Sequence, residues 1–410
     1  MNNIVSNAAE AAEIQPKAPR LGLREHIFAQ SFRRIRSGRL TVEFPSGAQM
    51  TFGGAEPGPQ AFIRIRNLRL ASRMLVSGVI GFAEGYMHGD WDTPNLKAAL
   101  MLGALNAEAL SNALTPSRFA KLANRLRHAR RANTKKGSRR NIAAHYDLGN
   151  TFYGCWLDET MSYSSALFDA MDESHELAQR RKYLRLAEAL DLRPGDRVLE
   201  IGCGWGGFAE IAAAEFGCEV VGLTLSVEQA AFARARMARA GLADRVDIRV
   251  EDYRDVTGHF DKIVSIEMFE AVGDENWATY FDVLDRRLEP GGRAALQVIT
   301  IADENYENYR RNPEFIQLYI FPGGMLPSPP AFEQAASAAG LKISDSFYFG
   351  KSYAESLRRW DRAFRETWHH IEGLGFDQRF FRMWRYYLCY CEVGFEVGRI
   401  DVGQFVIERA

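Results

Sequence analysis

The order of apolar and polar positions divides the chain near residue 196. From Asp196 onward, short apolar runs alternate with amphipathic segments. Strands are predicted at 196–201, 219–223, 246–250, 261–266, 293–299 and 342–348, with helices at about 206–216, 226–240, 275–288 and 331–339 between most of them. That alternation predicts a doubly wound α/β sheet. Ahead of it, Thr41 to Phe44 leads into a Pro45-Ser46-Gly47 turn, Ala61 to Arg66 alternates almost strictly, and Leu68 to Leu75 has helical spacing. These pieces predict a small α+β domain over 21–115. An aromatic-rich stretch, Asn141 to Asp169, precedes a helix at about 173–190. The segment from Ile301 to Pro330 is too long and too aromatic for a plain connection and reads as a lid insertion. Beyond Ser352 come two aromatic helical segments, 353–372 and 377–397, and a terminal strand, Gln404–Glu408.

Composition adds bounds. The chain has 410 residues, 47% of them hydrophobic, which exceeds the usual ~100–200 residues of one domain and predicts a globular protein of two. Its formal net charge is −1, yet Arg118 to Arg140 carries ten Lys or Arg, one His and no Asp or Glu. This block, at 116–140, reads as a basic connector: a solvated linker, or a surface for anionic lipid or nucleic acid. The aromatic residues lie in the other half of the chain and no nucleic-acid module is evident, so no nucleic-acid partner is expected. No run of about 18 apolar residues is present to span a bilayer, and Met1 to Arg20 lacks the apolar core of a secretory signal and reads as a loose tail. The five cysteines (Cys155, Cys203, Cys218, Cys389, Cys391) are odd in number and without zinc-type spacing, which suggests reduced thiols, a cytoplasmic setting and no metal site.

The most informative stretch is Arg197 to Gly207, RVLEIGCGWGG. Val198, Leu199 and Ile201 form a buried strand, Gly202, Gly204 and Gly206 allow close approach of backbone to a ligand, and Phe208 onward propagates a helix. A glycine triplet alone is weak evidence. Here Glu200 stands two residues before the first glycine, whereas dinucleotide sites place their acidic residue about a strand later. A carboxylate at the strand tip suits S-adenosylmethionine, which has an amino-acid end and no pyrophosphate. After the second strand, Thr224, Leu225, Ser226 and Gln229 stand where an acidic ribose ligand is usual; Ser226 or Thr224 serves either as a contact or as a helix cap. After the third, Asp252 and Tyr253 offer a carboxylate for the adenine amino group and a ring to stack on, or else form a solvated turn. The fourth strand ends near Glu270, a candidate for charge stabilisation or for positioning a base, with an exposed surface Glu as the alternative. Tyr146, Tyr163, Tyr319 and Tyr353 present electron-rich faces suited to a cation.

These residues resemble the cyclopropane-fatty-acyl-phospholipid synthases and the related mycolic-acid methyltransferases. The likeness rests on His145 to Asn150 (HYDLGN), Met161 to Ala166 (MSYSSA), Glu200 to Gly207, Val221 to Ser226, Asp252 to Asp255, Phe269 to Gly273 (FEAVG) and Ile320 to Gly324 (IFPGG), and spans about 141–410. It implies a class I methyltransferase domain of Rossmann-like type, with a small N-terminal lipid-handling domain. The implied reaction is S-adenosylmethionine-dependent transfer to the cis double bond of an unsaturated acyl chain in a bilayer phospholipid, by a homodimer peripheral to the inner face of the membrane. It also implies a bound bicarbonate as base, with Glu270 orienting it, Tyr353 donating to it and Tyr146 lining the pocket, while Tyr163 and Ser164 touch the cofactor. The chain departs from the family's usual pattern at three positions. Ser165 replaces Cys, Gln297 replaces His, and Ala271 replaces His; Ser165 and Gln297 still offer hydrogen bonds to an anion. The lost histidines leave the product open between a cyclopropane and a methyl-branched or methylene chain. Cys391 matches a cysteine that the family counts as an active-site residue; because no step needs a thiol nucleophile, it reads as pocket wall. A lipid-binding protein with a degenerate pocket is the non-enzymatic alternative.

Overall fold

The computed structural model describes residues 20–110, 133, 137 and 148–409. The N-terminal part contains α1 (Leu23–Ala29), β1 (Ser37–Glu43), β2 (Gln49–Gly53), β3 (Glu56–Ile65), α2 (Arg69–Ser77), α3 (Val79–Met87), β4 (Trp91–Asp92) and α4 (Leu96–Leu105). Its four strands order β2-β1-β3-β4, with β1 and β3 parallel. Strand β2 escapes the sequence pattern because only Phe52 of its five residues is buried. The basic connector at 116–140 apart from Asn133 and Gly137, the tail as far as residue 19, and His145, Tyr146 and Asp147 of the HYDLGN motif lie outside the described residues.

The rest of the chain carries α5 (Asn150–Gly154), α6 (His175–Ala189), β5 (Arg197–Ile201), α7 (Gly207–Glu215), β6 (Glu219–Thr224), α8 (Val227–Arg239), β7 (Val246–Val250) and β8 (Phe260–Ile266). It continues through α9 (Trp277–Arg287), β9 (Leu288–Ile301), α10 (Asp303–Arg311), α11 (Phe315–Tyr319), α12 (Pro329–Ala338) and β10 (Leu341–Tyr348) to α13 (Gly350–Glu366), α14 (Trp368–Gly373), α15 (Gln378–Glu396) and β11 (Ile400–Arg409). The seven strands order β10-β11-β9-β8-β5-β6-β7, parallel from β9 through β7. The terminal strand runs from Ile400, longer than its sequence signal, and enters between β9 and β10, antiparallel to both. Buried on both sides, Val402 to Ile407 behave as a central strand. The helical run expected at 353–372 breaks at Thr367, which ends α13 and caps α14. The aromatic insertion between β9 and β10 holds the two short helices α10 and α11.

Helix α15 joins the two parts. Its Arg382 donates to Asp92 at 3.0 Å and lies over the Tyr86 ring, its Tyr386 ring stands 6.0 Å from Tyr86, and its Glu392 pairs with Lys97 of α4 at 2.8 Å. On the far side of the sheet, Phe332 of α12 is fully buried, with its ring 4.9 Å from Phe405 of β11, 5.1 Å from Phe269 and 5.4 Å from Phe281. Truncating a buried phenylalanine to alanine costs about 3–5 kcal/mol. Phe332→Ala is therefore expected to lower the urea midpoint of this half of the chain while leaving far-ultraviolet dichroism native-like. An unchanged midpoint would show that the aromatic cluster does not hold α12 to the terminal strand.

Candidate active site

The glycine loop is fastened to the neighbouring strand, since the backbone N–H groups of Gly202 and Cys203 both donate to the Leu223 carbonyl, at 2.9 and 2.8 Å. Gly202, Gly204 and Gly206 have φ of 83°, 51° and 83°, in the left-handed region that favours glycine. Their surroundings differ. A Cβ at Gly202 would stand 2.7 Å from Met268 Cγ and one at Gly206 would stand 3.2 Å from Ala233, whereas one at Gly204 meets no protein atom within 4 Å. Two glycines thus serve packing and one faces open space.

Beside that space, Glu200 is 3% exposed and its Oε2 has no hydrogen-bond partner. Burial pushes its carboxyl up to about 8, opposed chiefly by Lys182. An orphaned carboxylate oxygen at the strand tip, next to an open glycine, fits the ammonium of an amino-acid-bearing cofactor. Lys182 of α6 is fully buried and donates to Ser164 Oγ at 2.7 Å. Burial pulls its ammonium down to about 7, against attraction from Glu267, Asp158 and Glu200.

The other residues assigned to the cofactor line up along the same sheet edge. Thr224 Oγ1 donates to Gln229 Oε1 at 2.8 Å and accepts from Ser226 N–H at 3.1 Å, while Ser226 Oγ caps α8 by accepting from Gln229 N–H. Ser226 is thus a cap, and Leu225 stands at the turn between them. Asp252 is 2% exposed and forms a two-point pair with Arg254, at 2.8 and 2.7 Å. The neighbouring Tyr253 packs edge-on to Tyr280 at 5.4 Å. The corner is therefore not a solvated turn, and Arg254 holds the Asp252 carboxylate in place.

The chemistry converges on a residue that the sequence reading passed over. Strand β8 ends at Ile266, so Glu267 rather than Glu270 occupies its tip. Ser165 N–H and Gln297 Nε2 both donate to Glu267 Oε1 at 2.8 Å, and the Tyr353 hydroxyl donates to Oε2 at 2.6 Å. Ser165 and Gln297 are fully buried. Glu267 is half-buried because it fronts a cavity, yet removal from bulk water is the largest influence on its carboxyl and pushes it up; the three donors and Lys182 pull the other way. Its φ is 52°, a conformation that costs a side-chain-bearing residue about 1–3 kcal/mol and persists where surroundings enforce it. Three residues on, Glu270 Oε1 accepts from Ile299 N–H, while its Oε2 has no partner. Burial first, and then repulsion from Glu267, push the Glu270 carboxyl up to about 8. Two adjacent carboxyls with such different donor sets divide the roles: Glu267 carries the negative charge and Glu270 holds a proton near neutrality.

Second-layer contacts fix this arrangement. Gln404 of β11 lies opposite Gln297 in the sheet and donates to its Oε1 at 3.0 Å, which turns the Gln297 amide nitrogen toward Glu267. Gln404, Lys182 and Glu267 all went unnoticed in the sequence. The rule that ligands gather at strand ends points to Glu267 once the strand boundary is known.

A cavity of about 590 Å³ opens onto this cluster. Glu267, Glu270, Tyr353 and Cys391 line one end; Phe32, Ile63, Met74 and Leu100, all from the N-terminal part, line another. Tyr163 also faces it, with its hydroxyl 2.8 Å from that of Tyr387. Burial pushes the Cys391 thiol up to about 12, as befits a wall residue rather than a nucleophile. Tyr319 instead bonds Glu84 of α3 through its hydroxyl, at 2.5 Å. Among the described residues, no cluster of metal-ligating side chains is present and no helix is long and apolar enough to cross a membrane.

Comparisons with known proteins agree with this geometry. The family model described as mycolic acid cyclopropane synthetase matches residues 133–405. The chain is 41% identical over 373 residues to the tuberculostearic acid methyltransferase UfaA1 of Mycobacterium tuberculosis, covering 87% of this chain and 85% of that one. It is 37% identical over 375 residues to the cyclopropane-fatty-acyl-phospholipid synthase of Escherichia coli, covering 90% and 93%. Among solved structures, mycolic acid cyclopropane synthase CmaA1, complexed with S-adenosylhomocysteine (SAH) and CTAB, superposes with a TM-score of 0.63 at 31% identity, over 66% of this chain and 98% of that one. The fold is that of the class I methyltransferases, and S-adenosylmethionine is the co-substrate. The chain belongs to the mycolic acid cyclopropane synthetase family and is an S-adenosylmethionine-dependent methyltransferase of lipid acyl chains.

Proposed function

We propose that this enzyme transfers a one-carbon unit from S-adenosylmethionine to the cis double bond of an unsaturated acyl chain in a membrane phospholipid, closing a cyclopropane. The observation that carries the reading is the cavity, which leads from apolar side chains of the N-terminal part to a carboxylate cluster beside the cofactor loop. An acyl chain matches the apolar walls, and its double bond matches the acidic end. The alkene carbon attacks the activated methyl; the C–S bond breaks with its electron pair remaining on sulfur, and positive charge develops on the neighbouring alkene carbon. Tyr163, Tyr353 and Tyr387 offer ring faces to that charge, and the anionic carboxylate opposes it. Within this reading Glu200 and the Gly204 side of the loop hold the cofactor's amino-acid end, Thr224, Gln229 and the Asp252–Tyr253 corner bound the rest, and Tyr163 with Ser164 closes over it.

A second reading, transfer of a branching methyl to the same chains, is favoured by Ser165 and Gln297 standing where the family usually has titratable Cys and His, and by the likeness to a protein named as a tuberculostearic acid methyltransferase. In both readings the substrate comes from a bilayer. Leu75, Val76 and Val79 are 77%, 54% and 38% exposed at the corner between α2 and α3, and the adjoining Met74, Ile80 and Phe82 line the cavity. An apolar corner continuous with the cavity supports peripheral docking there.

Three outcomes test these statements. Cells expressing the protein and fed methyl-labelled methionine are expected to yield phospholipids with one added labelled carbon; loss of the alkene with a ring signature identifies the cyclopropane, and retained unsaturation or a saturated branch identifies the second reading. Gly204→Val is expected to weaken S-adenosylhomocysteine binding by calorimetry at least ~100-fold, equivalent to about 2.7 kcal/mol; unaltered affinity would move the cofactor elsewhere. Leu75→Glu with Val76→Glu should reduce co-sedimentation with phospholipid vesicles without changing S-adenosylhomocysteine affinity, and undiminished sedimentation would remove that corner from the membrane contact.

A further inference from the structure

We propose that Glu267 is the enzyme's own catalytic anion: its side-chain carboxylate occupies the seat formed by Ser165, Gln297 and Tyr353, faces the developing carbocation, and removes the proton that completes the reaction, so that no dissolved anion is required there. This inference rests on the acyl-chain reading above and deepens it.

The donors decide the matter. The residues that the family likeness would assign to a bicarbonate are Ser165, Gln297 and Tyr353, with Glu270 alongside. In this chain Ser165 N–H, Gln297 Nε2 and the Tyr353 hydroxyl all point at the two oxygens of one side chain, at 2.8, 2.8 and 2.6 Å. A carboxylate and a bicarbonate present the same pair of planar, charge-sharing oxygens, so one seat does not hold both. A bound bicarbonate therefore does not fit the residues present. Nothing about the arrangement is accidental on the backbone side either. Glu267 takes a left-handed φ of 52°, its own N–H donates to the Gln297 carbonyl at 2.8 Å, and the Gln297 side-chain amide returns to its carboxylate. The loop is bent to bring a carboxylate back over the end of its own strand. Gln297, which departs from the usual His, donates through an amide with no titrating proton of its own, while Ser165 donates through its backbone N–H and turns its hydroxyl to the Ala166 carbonyl at 2.9 Å.

The step balances without an external reactant. Methyl transfer leaves a carbocation and neutral S-adenosylhomocysteine. Glu267 then takes a proton from the transferred carbon, whose C–H electron pair closes the ring, or from a neighbouring carbon, whose pair forms a double bond. Glu267 becomes a neutral acid and returns its proton to solvent when product leaves. Glu270, which has one donor and an unpartnered oxygen, stays beside it as the neutral neighbour.

Glu267→Gly is the informative variant because glycine accepts φ of 52° freely and leaves the three donors in place. Purified wild-type enzyme, assayed on unsaturated phospholipid vesicles in degassed buffer, is expected to run at the same rate, within twofold, with or without added bicarbonate. Glu267→Gly should lose at least ~100-fold in turnover while keeping its S-adenosylhomocysteine affinity and far-ultraviolet dichroism, and added bicarbonate or formate should restore at least tenfold. Glu267→Gln, which fills the seat without charge, should be equally slow and not rescued. Carbon-13 bicarbonate should show saturable binding to Glu267→Gly by NMR and none to wild type. A wild-type rate that rises tenfold with bicarbonate, or a Glu267→Gly variant as active as wild type without it, overturns the assignment of Glu267 alone. Wild-type enzyme that labels no lipid under any of these conditions overturns the acyl-chain reading, and this inference with it.

Discussion

The register of β11 in the large sheet is the constraint on which the active site depends. Because the terminal strand enters between β9 and β10, Gln404 comes to lie directly opposite Gln297, and Gln297 in turn lies opposite Ile266 at the end of β8. A slip of one residue would turn each of these side chains to the other face of the sheet. With the observed register, one amide orients the next, and the second amide reaches the carboxylate that follows Ile266. The ten residues of β11 thereby fix a hydrogen bond within the active site. Such an arrangement keeps the site's geometry tied to the stability of the whole sheet rather than to a loop.

Charge is distributed around that centre with similar care. Lys182, Glu200, Glu267 and Glu270 all lie where their charged forms are poorly hydrated, and burial is the largest influence on each. In such surroundings the number of donors decides which group ionises. Glu267 has three, and Glu270 has one from Ile299 with an oxygen left over. Lys182 lies within electrostatic reach of both Glu200 and Glu267, so in the proposed arrangement a single ammonium would serve the cofactor side and the acyl side together. The arrival of a cationic co-substrate beside Glu200 would favour the ionised form of that carboxylate, which burial alone disfavours.

The sheet was legible because its inner parallel strands read as short apolar runs and the edge strand β7 as an alternating one; most boundaries fall within a residue or two of those predicted. The helix starts carry side-chain caps at Ser174, Ser226, Ser328 and Asp377, of which only Ser226 was read as a candidate cap from the sequence. What was hidden has equally physical causes. Strand β2 offers only one buried side chain, so its pattern is no different from a polar loop. The order of the last three strands is a tertiary fact with no local signature. Of the site, the glycine loop and Glu270 were singled out from the residues themselves, and Ser165, Gln297 and the role of Tyr353 through the family resemblance; the structure brings the last three onto one carboxylate. Glu267 was not singled out, because its importance lies in a positive φ that turns it back toward β9, and a backbone angle of that sort leaves no trace in a sequence except at glycine.

If the cavity holds the acyl chain as proposed, it gives the second part of the chain a purpose. An acyl chain buried along its length needs walls on every side, and the methyltransferase sheet supplies only the floor near the carboxylates. Met74, Ile63 and Leu100 supply the far wall, held in place by α15 through the Arg382–Asp92 and Lys97–Glu392 pairs. Those pairs are polar and none of their residues lines the cavity, so they tie α15 to the N-terminal part without intruding on the apolar lining. In the proposed reaction, a carbocation formed at the inner end would be shielded from water by the same walls that hold the chain. Exclusion of water matters more here than in a simple methyl transfer, because the competing fate of the cation is capture by a water molecule, and only a base already seated beside it can act first.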